Sequence, residues 1–186
     1  MFGIVTILEG EPGDQVKRLW NDLAASCGAD AVRGFNLPHF SYHVADDYNK
    51  ESVRALLERL ASLTEQFTVR AAGLAFNTGP NTILYINMVR TPSLSTLHDA
   101  IWDDATTAGT GVEMRYHRDV WLPHVTLSYA PSVLGALPHL AGILREGKLP
   151  RKIPINNLAL IEETDTGHEI RIRVTLQSRR GAGEAP

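Results

Sequence analysis

The sequence predicts an α+β fold made from a duplicated β-α-β-α-β unit, and three observations carry that prediction. Apolar residues alternate at period two in some segments and recur near 3.6 in others, and the order of these segments occurs twice. The stretch Arg33-Gly34-Phe35-Asn36-Leu37-Pro38-His39-Phe40-Ser41 can be laid on Arg118-Asp119-Val120-Trp121-Leu122-Pro123-His124-Val125-Thr126. Arg, Leu, Pro, His and a hydroxyl residue coincide at a constant spacing of 85 positions, which a duplicated unit explains better than chance. Finally, the composition is that of an ordinary globular chain: 186 residues, 44% hydrophobic and 21% charged. A chain of this length buries roughly 70% of its extended surface, enough for one good core or two small ones. Residues 1–177 are read as one domain with internal repeats of about 1–79 and 80–177, and 178–186 as a small, polar, flexible tail.

The elements follow in order. A strand over Gly3–Leu8 leads to a helix from about Pro12 to Cys27, whose apolar face is Val16, Leu19, Trp20, Leu23 and Cys27 and which Gly28 stops. An alternating strand, Pro38–Ala45, precedes a helix of about Asn49 to Leu63 with Val53, Leu56, Leu57, Leu60 and Leu63 on one side. Two β-rich runs, Phe67–Asn77 and Thr82–Val89, flank Thr78-Gly79-Pro80-Asn81, a hairpin turn. The order then repeats. Thr91-Pro92 caps and opens a helix to about Ala105, and an alternating strand covers Pro123–Ala130. Leu134, Leu137, Leu140, Ala141 and Leu144 describe a helix interrupted or started at Pro138. A last pair of strands, Ile153–Glu163 and Glu169–Gln177, is joined by Thr164-Asp165-Thr166-Gly167.

Charge and cysteine content exclude several functions. Eighteen Lys and Arg against 21 Asp and Glu give a net charge of −3. That balance leaves no broad basic face, so a long duplex nucleic acid is not the expected partner. The single cysteine, Cys27, has no internal disulfide partner and is read as packing, and no Cys/His set has zinc-finger spacing. The apolar start reaches Glu9 without a basic flank, too short for a signal or membrane helix. The chain is therefore read as a cytoplasmic monomer with no membrane partner and no cofactor.

The two short motif strands hold the chemistry. Alternation puts His39, Ser41 and His43 on one face and Phe40, Tyr42 and Val44 on the other. In the second strand His124, Thr126 and Ser128 oppose Val125, Leu127 and Tyr129. Of the seven histidines, only His39 and His124 carry a hydroxyl residue two positions later. A solitary histidine on a strand is ordinarily solvated or hydrogen-bonded, but two copies in one context point to a shared groove across a pseudo-twofold axis. Near neutral pH one imidazole is neutral and the other protonated, giving a base and an acid from one residue type. Flanking a phosphodiester, the base takes a proton from water and the acid gives one to the departing oxygen. Ser41 and Thr126 would donate hydrogen bonds to the nonbridging oxygens, where charge builds up. Such a site needs no metal.

These paired His-x-Ser/Thr motifs, each on a strand after Leu-Pro and half a chain apart, resemble the 2H phosphoesterase superfamily. Within it the chain is similar to the bacterial LigT-like 2′-5′ RNA ligase branch of cyclic phosphodiesterases, over residues 1 to about 177. That family usually has Thr at the position of Ser41, a change that keeps the hydroxyl. The resemblance implies a bilobed fold of two antiparallel sheets around a central cleft, with helices outside and with lobes that do not coincide with the sequence halves. It implies hydrolysis of a 2′,3′-cyclic phosphate to a 2′-phosphomonoester, with reversible 2′-5′ joining of RNA ends in some members. By that analogy His39 protonates the leaving 3′ oxygen and His124 activates water; the sequence by itself leaves the order open. The expected partners are RNA ends or small cyclic nucleotides. Two alternatives stand beside this reading: a non-catalytic RNA-end or nucleotide-binding module on the same fold, and a phosphodiesterase for another cyclic phosphate, such as ADP-ribose 1″,2″-cyclic phosphate.

Other residues are candidates for substrate contact. Arg33 and Arg118 each lie six residues before a motif histidine, so symmetry aims both toward a phosphate, although an ordinary surface arginine explains either one. Arg115 and His117 add cationic character to the loop entering the second motif, as a solvated loop also would. Tyr42, Trp121 and Tyr129 are aromatic enough to stack on a base; alternation assigns Tyr42 and Tyr129 to the core and leaves Trp121 near the cleft rim. His43 reads as a groove-lining residue that tunes affinity. A His39/His43 metal pair would need a helix, which the alternation of Phe40, Tyr42 and Val44 opposes.

Overall fold

The computed structural model describes residues 1–77 and 82–178. The turn assigned to Thr78-Gly79-Pro80-Asn81 lies outside the described residues, as does the tail from residue 179 onward. Its strands are β1 (Phe2–Ile7), β2 (His39–Ala45), β3 (Asp47–Tyr48), β4 (Phe67–Asn77), β5 (Ile83–Met88), β6 (Gly109–Thr110), β7 (His124–Ser128), β8 (Lys152–Ile155), β9 (Asn157–Thr164) and β10 (Gly167–Thr175). Its helices are α1 (Gly10–Cys27), α2 (Lys50–Leu63), α3 (Pro92–Ala108) and α4 (Leu137–Arg145), with 3-10 turns at Ala29–Val32, Met114–Tyr116 and Pro131–Ala136. Local chemistry sets several boundaries. The Asn49 side chain accepts from Ser52 N (2.9 Å) to start α2, Thr91 Oγ1 accepts from Leu94 N (3.3 Å) to start α3, and Pro138 falls in the first turn of α4.

Two antiparallel sheets result, ordered β10-β9-β1-β2 and β7-β5-β4-β8, with β3 and β6 forming a small ribbon. The two motif strands, β2 and β7, are the edge strands of their sheets and lie against each other. Helices α2 and α3 pack on the first sheet, and α1 packs on β7. The hydrophobic cluster is shared: Ile4, Phe40 and Tyr42 of the first sheet join Leu84, Ile86 and Leu127 of the second. A smaller cluster of Val5, Ile7, Ala159 and Ile161 covers the other face of β1 and β9, so all six residues of β1 are buried.

The strand expected over Ile153–Glu163 is two strands in different sheets. β8 pairs with β4, and after Asn156 the chain crosses to the first sheet, where β9 pairs with β1 and β10. Asn157 fastens the crossing: its Oδ1 accepts from Ile7 N (3.0 Å) and its Nδ2 donates to Ile7 O (2.9 Å). Asn156-Asn157 marks this break in the sequence: the alternation of Ile153 and Ile155 stops there, and the unbroken apolar run Leu158–Ile161 follows. As the resemblance implied, the sheets do not follow the sequence halves, since the first sheet takes β1 and β2 from one half and β9 and β10 from the other.

Candidate active site

Each motif strand delivers its histidine in the same way. His39 Nδ1 donates to Leu37 O and His124 Nδ1 donates to Leu122 O, both at 2.7 Å. A carbonyl only accepts, so each Nδ1 carries the hydrogen and each Nε2 is left as the free nitrogen of the neutral ring. Burial pushes the His39 imidazole down to about 4; the positive charges of His168 and His124 push the same way, and the Leu37 carbonyl opposes them. Burial also lowers His124, against the Leu122 carbonyl, and Arg115 lowers it further. The protein by itself therefore holds both rings neutral at neutral pH.

A bulge at the same place in each strand sets the orientation of the residues beyond the motif. Ile4 faces His43 and Val5 faces Ser41, so Tyr42 is an extra residue; Leu84 faces Ser128 and Tyr85 faces Thr126, so Leu127 is extra. Tyr42 and Leu127 are themselves 85 positions apart. An extra residue inverts the alternation beyond it. His43, expected in the groove, is instead fully buried among core residues, hydrogen-bonded through Nδ1 to Tyr48 OH (2.6 Å) and through Nε2 to Thr106 Oγ1 (3.2 Å). Val44 takes the place on the cleft side. Likewise Ser128 is buried, and Tyr129, assigned to the core from the sequence, is 57% exposed at the cleft. Tyr42 is fully buried, as alternation predicts.

Two indoles hold the motif backbones. Trp121 Nε1 donates to Ser41 O (2.9 Å), and Trp20 Nε1 donates to Thr126 O (3.3 Å). Each hydroxyl residue of the motifs thus has its carbonyl capped from another part of the chain. Trp121 is not a rim residue: it is 1% exposed and stacks on the buried His98 with ring centroids 3.9 Å apart. Only part of it borders the cleft.

The cleft has two adjoining pockets. One, of about 90 Å³, is bordered by His39 and Ser41 together with Val44, Glu163 and His168. The other, of about 210 Å³, is bordered by His124, Tyr85, Val120, Trp121 and Leu122. Arg115, Tyr116 and Tyr129 border both. Thr126 is half-buried on the His124 side of β7. A larger open groove, about 1190 Å³ between the end of α2 and the start of α3, has no histidine on its walls.

The cation common to both pockets is Arg115, placed over the Tyr116 ring at 5.4 Å and 3.5 Å from Glu113. Arg33 and Arg118 do not border either pocket. Arg33 pairs with Asp30 at 2.5 Å with its side chain 82% exposed. Arg118 is tied to Asp103, and its carbonyl accepts from Arg90 (2.7 Å), which fixes the loop to α3. Among the cleft residues outside the two motifs are His168, Tyr85 and Arg115, the last legible in the sequence only as loop charge. Tyr85 pairs with His124 at 5.0 Å between ring centroids, and its only sequence signal is its place in a strand of the second repeat. Among the described residues no group of three or more His, Cys, Asp and Glu is arranged to hold a metal ion. No helix among them is long and apolar enough to cross a membrane.

Comparison with known proteins agrees with this architecture. The profile of the 2′-5′ RNA ligase superfamily matches residues 11–167. No curated protein matches by sequence. The crystal structure of TT0787 from Thermus thermophilus superposes with a TM-score of 0.62 at 15% identity, covering 97% of this chain and 100% of that one. E. coli LigT in its apo form gives 0.56 at 15% identity over 94% of this chain and 98% of its own. LigT complexed with 3′-AMP gives 0.55 at 14% identity, over 94% and 96%. At these identities the likeness is one of fold.

Proposed function

The chain belongs to the 2′-5′ RNA ligase superfamily, and from that membership we propose that it is a cyclic phosphodiesterase opening 2′,3′-cyclic phosphate ends of RNA or nucleotides to 2′-phosphomonoesters. One observation carries the reading: two imidazoles, each with Nδ1–H on the carbonyl two residues earlier and Nε2 free, border adjoining pockets that share one arginine. In the reaction the neutral imidazole takes a proton from water as the water oxygen bonds to phosphorus. The bond from phosphorus to the 3′ oxygen breaks, and the protonated imidazole gives its proton to that oxygen. The Ser41 and Thr126 hydroxyls and Arg115 receive the charge on the nonbridging oxygens. Following the resemblance, His39 is the acid and His124 activates water. The phosphate anion is what charges the acid, since the protein by itself holds both rings neutral.

The complexes of E. coli LigT with 3′-AMP and with phosphate support a nucleotide phosphate as the ligand class. The test replaces His39 or His124 by Ala and follows a 2′,3′-cyclic nucleotide by phosphorus NMR. Loss of turnover in each variant and a 2′-phosphate product are expected. Wild-type turnover in either variant overturns the paired assignment, and tight binding of the cyclic nucleotide without turnover identifies a binding module instead.

A further inference from the structure

The cleft holds a third imidazole that neither motif supplies. His168 is the second residue of β10, just after the turn from β9, and its ring meets the His39 ring edge-on at 66° with centroids 4.8 Å apart. Its backbone is gripped by the loop that leads into β2. Asn36, three residues ahead of His39, accepts from His168 N through Oδ1 (2.8 Å) and donates through Nδ2 to His168 O (3.0 Å). That double bond imitates one rung of an antiparallel ladder and ties the hairpin to the loop that delivers His39. Gly167 makes room for it: its φ is +136°, and a Cβ there would come within 2.6 Å of the Asn36 side chain. His168 Nδ1 is buried with no hydrogen-bond partner among the described residues, a cost that folding ordinarily avoids.

Resting on the cyclic-phosphate reading above, we propose that His168 is a positioning residue of this site, holding His39 in its proton-transfer orientation and biasing when it carries charge. The groups facing His168 are His39 on β2, Glu163 on β9, Arg115 and Tyr116 on the 3-10 turn Met114–Tyr116, Tyr129 beyond β7, and Met1 at the start of the chain. Two imidazoles at this range resist simultaneous protonation. Burial lowers His168 and Glu163 opposes that, while a charged His168 lowers His39. His39 therefore stays neutral until an anion enters the pocket, and the proton it then acquires is delivered to the substrate rather than held idle.

The test reads histidine titrations by nitrogen-15 imidazole NMR in the ligand-free protein. His168→Phe keeps a flat ring against His39 and removes its charge. The His39 titration is then expected to move up by about one pH unit, and the acid limb of the kcat/KM profile for a 2′,3′-cyclic nucleotide to move with it. An unchanged His39 titration overturns the proposal. Should that variant not fold, the wild-type curves decide: coupled, non-ideal titration of His39 and His168 supports it, and two independent single-proton curves overturn it. If the wild-type protein turns over no 2′,3′-cyclic nucleotide, the hydrolysis reading fails, while these ligand-free titrations still judge His168.

Discussion

Binding of a phosphodiester anion to this cleft is expected to draw a proton out of solution. With His39 pushed down to about 4, roughly one molecule in a thousand carries that proton at pH 7, and adding it costs about 4 kcal/mol. A monoanionic phosphate about 4 Å from an imidazolium returns about 4 kcal/mol at an effective dielectric of about 20. The two quantities nearly cancel, so the bound anion brings His39 to the threshold of protonation, and uptake approaches one proton as the pH falls. Affinity then strengthens by up to about tenfold per pH unit toward about pH 5. Uridine 3′,5′-cyclic phosphate is a suitable probe, because its charge is constant between about pH 5 and pH 8. Isothermal titration at one pH in buffers of different ionisation enthalpy counts the protons directly. Identical heats in every buffer, together with a Kd that does not change from about pH 7 to about pH 5, would refute the reasoning. His39→Ala should remove the share of uptake that His39 carries.

Four further outcomes rest on the placement of side chains. Arg115→Ala should weaken the same ligand by about tenfold or more, the worth of one charge-assisted contact, whereas Arg33→Ala and Arg118→Ala should leave the Kd unchanged; an equal loss at Arg33 would contradict the shared-arginine geometry. His43→Ala strands the Tyr48 and Thr106 hydroxyls and should destabilise the fold by about 1–3 kcal/mol without altering ligand affinity, measured by urea unfolding beside the binding assay. The wild-type His43, buried and held at about 4, also makes stability pH-dependent: the unfolded chain binds this proton first, near about pH 6.5, so stability is full above that pH and falls toward about pH 4, by up to about 3 kcal/mol. A melting temperature that is flat across that window argues against it. Trp121→Phe keeps the stacked ring but leaves Ser41 O without its indole donor, and should cost about 1–3 kcal/mol with amide shifts centred on Ser41; an unperturbed Ser41 signal would show that the cap does not matter.

Much of the candidate site is legible in the sequence, because the His-x-Ser/Thr pattern repeats at a fixed spacing and strand alternation orients its first three residues. Legibility stops at the bulges. Tyr42 and Leu127 are ordinary strand residues, with no Gly to mark an extra position, and only the register against β1 and β5 reveals that the phase inverts. For that one reason His43 turns into the core and Tyr129 turns out of it, against simple alternation. The arginines show a different limit: Arg33 and Arg118 share the repeat, yet Asp30 and Asp103 hold them elsewhere, while Arg115 reaches both pockets from a turn. His168 was hidden further still, because the contact that places it joins Asn36 to a hairpin 132 positions away. The change of sheet does leave a mark in the sequence: Asn156-Asn157 breaks the alternation of Ile153 and Ile155, and the unbroken apolar run Leu158–Ile161 follows.

That crossing has a consequence for how the protein is made. β1 finds β2 within the first 45 residues, but its other neighbour, β9, is anchored to it by bonds between residues 150 positions apart. Until β9 has been made, the nascent chain therefore carries a largely apolar strand with one side unpaired, the kind of edge that recruits other chains. Contacts this remote close slowly and late. The small cluster of Val5, Ile7, Ala159 and Ile161 completes only when the last hairpin docks, and the same event carries His168 to His39. The pocket around the first motif histidine is thus finished last, when the hairpin of β9 and β10 arrives.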